Sequence, residues 1–105
     1  MEMVLMNILT NAIRYNDSKQ PQVEISFSCL GKKTAVSFKD NGMGIDKNDQ
    51  RNIFRKFYQI GKTTKGSGLG LYLTSQILKL HKGTIDVESS GNGLGSTFTI
   101  GLIRE

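Results

Sequence analysis

The sequence has little of what a disulfide-stabilised or membrane-spanning protein needs. It contains one Cys, one Pro and no Trp. A single Cys excludes an internal disulfide, and no apolar run approaches the ~18 residues that a membrane-spanning helix requires. No segment is typical of a signal peptide. These absences indicate a reducing, cytosolic setting for this domain.

Histidine and clustered basic residues are also scarce. There is one His, and the 14 Lys and Arg residues, against 9 Asp and Glu, are scattered and give a net charge of +5. A basic balance is compatible with a phosphate-bearing partner, but it also describes an ordinary solvated surface. Because no basic stripe is present, we expect no nucleic-acid partner.

What the sequence does contain is an ordinary globular composition. Its 105 residues are 37% apolar and 22% charged, which favours one domain with a single core, spanning 1–105.

Helical periodicity is strong in 3–15 and 69–83 and weaker in 47–59, and Gly83 is the predicted stop of the second segment. The expected core faces are Leu5, Ile8, Leu9 and Ala12 in the first, Leu69, Leu73, Ile77 and Leu80 in the second, and Ile53, Phe54, Phe57 and Tyr58 in the third.

Strand-like alternation appears in 23–30 and 34–40, joined by a tight turn, and twice within 84–103 around a Gly-rich turn. Val23, Ile25, Phe27 and Cys29 share one face, so Cys29 is expected to be a buried small hydrophobe. The order helix, hairpin, helix, loop, helix, hairpin predicts an α+β fold: a two-layer α/β sandwich whose mostly antiparallel sheet carries helices on one face.

Three polar residues of the first helix form the first candidate site. Asn7, Asn11 and Arg14 fall within a sector of about 60°, nearly opposite the expected apolar face. Asn is a poor residue for a helix interior. A solvated polar face is one interpretation. The other is that an amide oxygen coordinates Mg²⁺ while Arg14 contacts phosphate.

The stretch "DNGMG", 40–44, is the second candidate. Alternation places Asp40 on the inward face with Val36 and Phe38, where a carboxylate is costly unless it is hydrogen-bonded. An adenine amine is one suitable donor, and Gly42 and Gly44 would keep the backbone close to the base. An Asx-turn at the end of the strand is the alternative.

The stretch "GSGLGL", 66–71, is the third candidate. It is neither a P-loop nor a dinucleotide fingerprint. Its glycines precede a helix whose N-terminal amides favour an anion, and Lys62 and Lys65 lie in the same loop. A flexible turn into a helix is the alternative.

Together, the segments "NILTNAIRY", "DNGMGI", "IFRKFYQ" and "GSGLGLYL" resemble, in order, the N, G1, F and G2 boxes of the sensor histidine kinase catalytic domain. This family is grouped with gyrase, chaperone and mismatch-repair ATPases, which share the Bergerat-type ATP-binding fold. The resemblance runs from Asn7 to Ile103. It implies a domain truncated at its N-terminus, without the usual first strand and helix. We therefore expect an uncovered apolar face and sheet edge, with marginal stability or self-association.

The resemblance also implies roles for individual residues. Asn11 would bind Mg²⁺, with Asn7 one turn before it, and Asp40 would read adenine. The catalytic set is Asn7, Asn11 and Arg14, the metal ligand is Asn11, and the residues expected to bind ATP are Asn11, Arg14, Tyr15, Asp40, Gly42, Gly44, Ile45, Phe54, Phe57, Lys62, Lys65, Gly66, Gly68, Leu69, Gly70, Leu71 and Thr97. Of these, Phe54 and Phe57 match the anchors of a mobile lid, and Thr97 matches a hydroxyl near the adenine.

The implied activity is transfer of the γ-phosphoryl group of ATP to a His on a dimerisation domain outside this chain, with a response regulator downstream. The one His, His81, does not lie in an acceptor motif and is expected to be structural. ATPase relatives carry a Glu where this chain has Asn7, so hydrolysis is expected to be weak. The resemblance implies a cytoplasmic domain without membrane contact, in a full-length protein that can be anchored in the inner membrane. The alternatives are an anti-sigma-type serine kinase or an ATPase on the same fold, and a non-catalytic nucleotide-binding or basic nucleic-acid-binding module.

Overall fold

The computed structural model describes residues 2–14, 19–58, 70–91 and 93–103. Its elements in chain order are α1 (Glu2–Arg14), β1 (Val23–Leu30), β2 (Lys33–Asp40), α2 (Lys47–Gln50), α3 (Gly70–Leu80), β3 (Thr84–Glu88) and β4 (Ser96–Ile103). No helix in these ranges is both long and apolar enough to cross a membrane.

The four strands form one sheet in the order β1-β2-β4-β3, and all three pairings are antiparallel. The register of the central pair places Phe38 opposite Phe98 and Asp40 opposite Ser96. The predicted hairpins 23–40 and 84–103 are therefore confirmed, and the two hairpins meet through β2 and β4.

The core lies between this sheet and the two longer helices. Val4 and Ile8 of α1 and Leu78 of α3 are fully buried, and they pack with Phe38 and Ile100 of the central strands. Apolar side chains from both layers fill one core, as a two-layer sandwich requires. The predicted α+β fold is confirmed.

The prediction that Cys29 is buried is wrong, whereas an exposed apolar face at the edge of the sheet was expected. Cys29 is exposed, Ile25 is 45% exposed and Phe27 is 74% exposed. β1 is the outer strand of the sheet. Helix α1 lies over β2 and does not cover β1. The alternation gives the correct face, but along this strand only Val23 is partly buried against the core.

The buried faces of α1 and α3 are rotated about the helix axes relative to the predicted faces. In α1 the buried residues are Val4, Ile8 and Ala12, whereas Leu5 is 39% exposed. This rotation leaves Asn7 and Asn11 half-buried beside the core rather than opposite it. The buried residues of α3 are Thr74 and Leu78, and the predicted Leu73 and Leu80 are exposed.

The predicted length of the helix over 47–59 is also wrong, because α2 begins at Lys47 as expected but ends at Gln50. A succession of turns follows, with amide donation from Asn52 to Asp49 and from Arg55 to Asn52. Phe57 ends these turns with a positive φ of 65°. Phe54 is thereby placed edge-on to Phe98 of β4, with ring centroids 6.3 Å apart. Packing against the sheet outweighs a weak local helical preference.

The end of α3 is close to its predicted position. The amide of Gly83 donates to Leu78 O at 2.7 Å and closes the last turn. The left-handed residue there is Lys82, with φ 58°, so Gly83 is not the residue that needs positive φ.

Candidate functional site

A cavity opens between the end of β2, the start of α3 and the C-terminal part of α1. It holds about 490 Å³ of open space and combines a polar end with apolar walls. It is lined by Asn11, Asp40, Met43, Gly44, Ile45, Ile53, Leu71, Ser96 and Phe98.

Asp40 forms the polar end of this cavity. Its side chain is only 8% exposed. Oδ1 accepts hydrogen bonds from the amides of Gly42 (2.9 Å) and Ser96 (3.1 Å), and Oδ2 accepts one from the Ser96 hydroxyl (2.9 Å). The bond from Gly42 is an Asx-turn, so the turn and the inward-facing carboxylate occur together. Because each carboxylate oxygen can accept two hydrogen bonds, Oδ2 retains capacity for one more donor.

Two glycine-containing loops hold the floor of the cavity. The amide of Gly95 donates to Gly42 O at 3.1 Å, and the Ser89 hydroxyl accepts from the amide of Ile45 at 3.0 Å. Gly44 has φ +78°, and a methyl group there would overlap the carbonyl oxygen of Gly91. The close approach of the loops therefore depends on glycine at 44.

Asn7 links α1 to α3. Its Nδ2 donates to Gly70 O and to Thr74 Oγ1, both at 3.2 Å. Both acceptors belong to the first two turns of α3, the helix that supplies Leu71 to the cavity. Asn7 therefore positions the helix that borders the site.

Asn11 lies one turn later and lines the cavity directly. Its Nδ2 donates to Asn7 O at 2.8 Å. No described residue donates to its amide oxygen, so that oxygen is the atom available to a ligand. The predicted neighbourhood of Asn7 and Asn11 is observed, but the two amides have different contacts.

The structure brings together the predicted residues Asn11, Asp40, Gly44, Ile45 and Leu71 around one cavity. Gly42 donates to Asp40, and Gly70 is the first residue of α3. Phe54 packs against Phe98, and the 63%-exposed Phe57 ring lies 5.3 Å from Lys56 Nζ. The predictions for Tyr15, Lys62, Lys65, Gly66, Gly68 and Leu69, and for the side chain of Arg14, lie outside the described residues.

Thr97 is not brought to the cavity. It faces away from the buried residues Ser96 and Phe98, since neighbours on a strand alternate. The hydroxyl beside Asp40 is that of Ser96, which the sequence reasoning missed. A correct register between β2 and β4 would have identified it, because Ser96 lies opposite Asp40.

The walls of the cavity are apolar, and the Asp40 carboxylate lies at its bottom. Ile45, Ile53, Leu71 and Phe98 provide flat or branched apolar contacts. A site of this kind suits a planar, largely apolar ring that presents one hydrogen-bond donor to Asp40. The described residues contain no cluster of three or more His, Cys, Asp or Glu side chains that could hold a metal ion by themselves.

Known proteins with similar sequences include sensor kinases. The family described as histidine kinase-, DNA gyrase B- and HSP90-like ATPase matches residues 1–105. The circadian input-output histidine kinase CikA of Thermosynechococcus vestitus is 39% identical over 107 residues, which cover 96% of this chain and 14% of CikA. The methanogenesis regulatory histidine kinase FilI of Methanothrix harundinacea is 36% identical over 98 residues, 91% of this chain and 11% of FilI.

A solved structure agrees with the fold. The catalytic domain of the histidine kinase ThkA matches with a TM-score of 0.80 and 29% identity, over 96% of this chain and 65% of that one. By contrast, the present chain spans only 11 to 14% of the lengths of the two curated relatives.

Proposed function

The chain belongs to the family of histidine kinase-, DNA gyrase B- and HSP90-like ATPases, and from this premise we propose that it is the ATP-binding catalytic domain of a two-component sensor histidine kinase. It binds Mg-ATP and donates the γ-phosphoryl group to a His on a dimerisation domain outside this chain. The observation that carries the proposal is the buried Asp40 carboxylate, whose Oδ2 retains one acceptor position at the bottom of an apolar cavity.

An adenine ring supplies the missing donor. Its exocyclic amine would donate to Oδ2, while Ile45, Ile53 and Leu71 contact its faces and edges. A guanine ring carries a carbonyl oxygen in place of that amine, so two acceptors would face each other. A site with a buried hydrogen-bonding group rejects a ligand that leaves the group unpaired. We therefore expect preference for adenine nucleotides.

Asn11 is the residue that fits Mg²⁺. Its amide oxygen has no donor among the described residues, and Mg²⁺ takes few protein oxygens while keeping waters and phosphate oxygens. The absence of a carboxylate cluster among the described residues agrees with this mode of binding. Bound Mg²⁺ would neutralise phosphate charge during transfer. Arg14, one turn after Asn11 and at the end of α1, is proposed to contact the terminal phosphate.

The remaining predicted residues complete the proposed site. Tyr15 would pack near the adenine, and Lys62 and Lys65 would contact phosphate oxygens. Gly66, Gly68 and Gly70 would let the chain approach the phosphates, with Phe54 and Phe57 anchoring the segment and Leu69 and Leu71 flanking the base. Thr97 does not line the cavity, so its contact near the adenine stays a prediction and is not used in the proposed site.

Asn7 argues against efficient hydrolysis. An amide is a poor general base, and its nitrogen is already engaged by Gly70 O and Thr74 Oγ1. A kinase that transfers the γ-phosphoryl group loses less ATP to hydrolysis when no side chain activates water beside the nucleotide. Among the enzyme alternatives, a serine kinase on the same fold remains a second candidate, and an ATPase is less favoured because of Asn7.

The proposed partners are the His-containing dimerisation domain and a downstream response regulator. In keeping with these partners, we propose that the domain works in the cytoplasm, as part of a longer protein that can be anchored in the inner membrane.

Nucleotide binding is tested by isothermal titration calorimetry with a non-hydrolysable ATP analogue and Mg²⁺. Wild type should bind the ATP analogue more tightly than the matching GTP analogue. Asp40→Ala should weaken binding by about a hundredfold, which corresponds to one hydrogen bond to a charged group. Asp86→Ala, on an exposed position of β3, is the matched control and should bind normally. Equal affinity in both variants, or equal affinity for the two nucleotides, would contradict the proposed pocket.

A second experiment tests the acceptor. The domain is incubated with ATP and separately supplied His-containing dimerisation domains from sensor kinases. Acid-labile phosphate on His supports the proposal. Acid-stable phosphoserine on a protein substrate would support the serine kinase instead, and rapid phosphate release without any acceptor would support an ATPase.

A further inference from the structure

A second, larger cleft lies on the other side of the segments that wall the cavity. It is open to solvent and holds about 1260 Å³. One wall is the turn segment after α2, the second is α3 and the third is the start of β3. Neighbouring residues divide between the two sites: Ile53 and Leu71 face the cavity, while Phe54 and Tyr72 face this cleft.

The rim of the cleft is strongly basic. Arg51, Arg55, Lys56 and Lys79 line it, against the single carboxylate of Asp86. All four cations are exposed. No ion pair joins any of them to a carboxylate in the described part of the chain. The cleft therefore concentrates positive charge that the described residues do not neutralise.

The floor of the cleft is apolar and amide-bearing rather than charged. Phe54, Tyr72 and Ile85 are half-buried there. The Gln76 side chain also lines the cleft and has no hydrogen-bond partner among the described residues. An amide group of this kind pairs well with a peptide backbone. The combination fits a ligand with carboxylates at its edges, apolar side chains between them and a peptide main chain.

We propose that this cleft is a docking surface for an acidic segment of a partner protein, one that carries Asp or Glu next to apolar side chains. Charge complementarity selects the occupant, because a basic rim attracts an acidic segment and rejects a basic one. The inference does not depend on the proposed function, since the cleft and the nucleotide cavity are separate openings.

A nucleic acid fits the same cleft less well. Single-stranded nucleic acids need bare aromatic faces for stacking, and the Tyr72 ring has Lys56 Nζ over it at 5.9 Å. Asp86 would also lie next to a phosphate. The apolar floor with its amide group matches a polypeptide better.

The test measures fluorescence anisotropy of a labelled peptide in which Glu and Leu alternate, and of its counterpart with Lys in place of each Glu. The Glu peptide should bind, and its affinity should fall as salt is raised. The Lys peptide should not. Three outcomes would overturn the proposal. The two peptides could bind with equal affinity, or an oligonucleotide of the same charge could bind more tightly than the Glu peptide. The third is that the Glu peptide shows no binding below about 1 mM, which is the range of weak association.

Variants locate the binding surface. Arg55→Glu combined with Lys79→Glu reverses one charge on each of two walls and should weaken the Glu peptide at least about tenfold. Arg55→Gln with Lys79→Gln should weaken it less. Lys32→Glu with Lys33→Glu, near the exposed β1–β2 turn, makes the same change in net charge and should have little effect. An equal loss in this control would overturn the proposal.

The nucleotide titration separates the two proposals. All of these variants should bind the ATP analogue as wild type does, which also establishes that they are folded. Loss of the peptide with retention of the nucleotide supports the cleft alone. Loss of the nucleotide in Asp40→Ala with retention of the peptide shows that the two sites are independent.

Discussion

The neighbouring strands β1 and β2 present the same apolar alternation to the same face of the sheet, with opposite outcomes. Ile25 pairs with Phe38, and Phe27 pairs with Val36. Phe38 is 2% exposed, whereas Phe27 is 74% exposed. Between β1 and α1 lies an entirely apolar groove of about 700 Å³, bordered by Leu5. Alternation decides which face a side chain joins, and the layer opposite decides whether that face is buried.

The largest expected effect is at the covered strand. Phe38→Ala removes a ring from the core and should lower the free energy of unfolding by about 3–5 kcal/mol. Phe27→Ala makes the same chemical change on the open strand and should cost less than about 1 kcal/mol. Urea unfolding of both variants measures the difference. Similar losses would mean that the face of β1 is covered in solution.

Phe27 also bears on the predicted self-association. β1 is eight residues long, has no Pro or Lys and is the outer strand, which are features of an edge that pairs with another chain. Phe27→Lys should therefore reduce self-association in sedimentation experiments. A wild-type chain that stays monomeric at high concentration would refute the prediction.

The second effect compares the two ends of β2. Gly95, beside Asp40, has φ +71°, and a methyl group there would overlap the carbonyl oxygen of Asp40. Gly31, in the turn at the other end, has φ +63° but nothing within 4 Å of an added methyl group. Gly31→Ala should cost about 1–2 kcal/mol through its positive φ alone. Gly95→Ala should cost roughly twice as much. Equal unfolding energies by thermal denaturation would show that the site end has room to relax.

The third effect concerns the link between the helices. Asn7→Ala removes two hydrogen bonds to α3 and should cost about 1–2 kcal/mol. Faster hydrogen exchange should be confined to the first turns of α3, where Gly70 O and Thr74 Oγ1 would lose the Asn7 donor and keep the hydrogen bond between them. Thr10→Ala, at an exposed position of α1, is the control. Unchanged exchange in Asn7→Ala would mean that packing alone holds the two helices together.

The smallest effect depends on pH. The Tyr58 hydroxyl donates to Asp49 Oδ1 at 2.6 Å, and this hydrogen bond raises the pKa of Tyr58 above 10.0. The folded state therefore holds the proton more tightly than the unfolded state. The stability contributed is fully present below the ordinary Tyr pKa and is lost as pH rises through the raised value.

Tyr58→Phe should remove that alkaline loss of stability, as measured by urea unfolding at a series of pH values. Tyr72→Phe is the control, since no described hydrogen bond involves its hydroxyl. If the slope at alkaline pH is the same in both variants, the bond to Asp49 does not contribute.

Much of the fold was predictable because it depends on short-range pattern. The two hairpins and the long helices follow from alternation, periodicity and glycine-containing turns. The length of α2 was not predictable, because the chain after Gln50 adopts turns that place Phe54 against Phe98. Phe98 lies more than forty residues further along the sequence. The exposure of Cys29 was not predictable either, since it depends on strand order.

The candidate site shows the same division. Asp40 was identifiable because a carboxylate at an inward-facing strand position needs donors. Ser96, which supplies two of those donors, depends on the register between β2 and β4, and local sequence does not determine that register. Asn7 was singled out for its unfavourable helix propensity, but its contacts to Gly70 and Thr74 depend on how α1 crosses α3.

The pairs Ile53–Phe54 and Leu71–Tyr72 form a partition only one residue thick, with a different site on each side. Such a partition constrains how the chain can evolve. A replacement that enlarges one compartment shifts the backbone shared with the other, so adjacent positions cannot vary freely. Related chains should therefore show correlated substitutions at 53 with 54 and at 71 with 72.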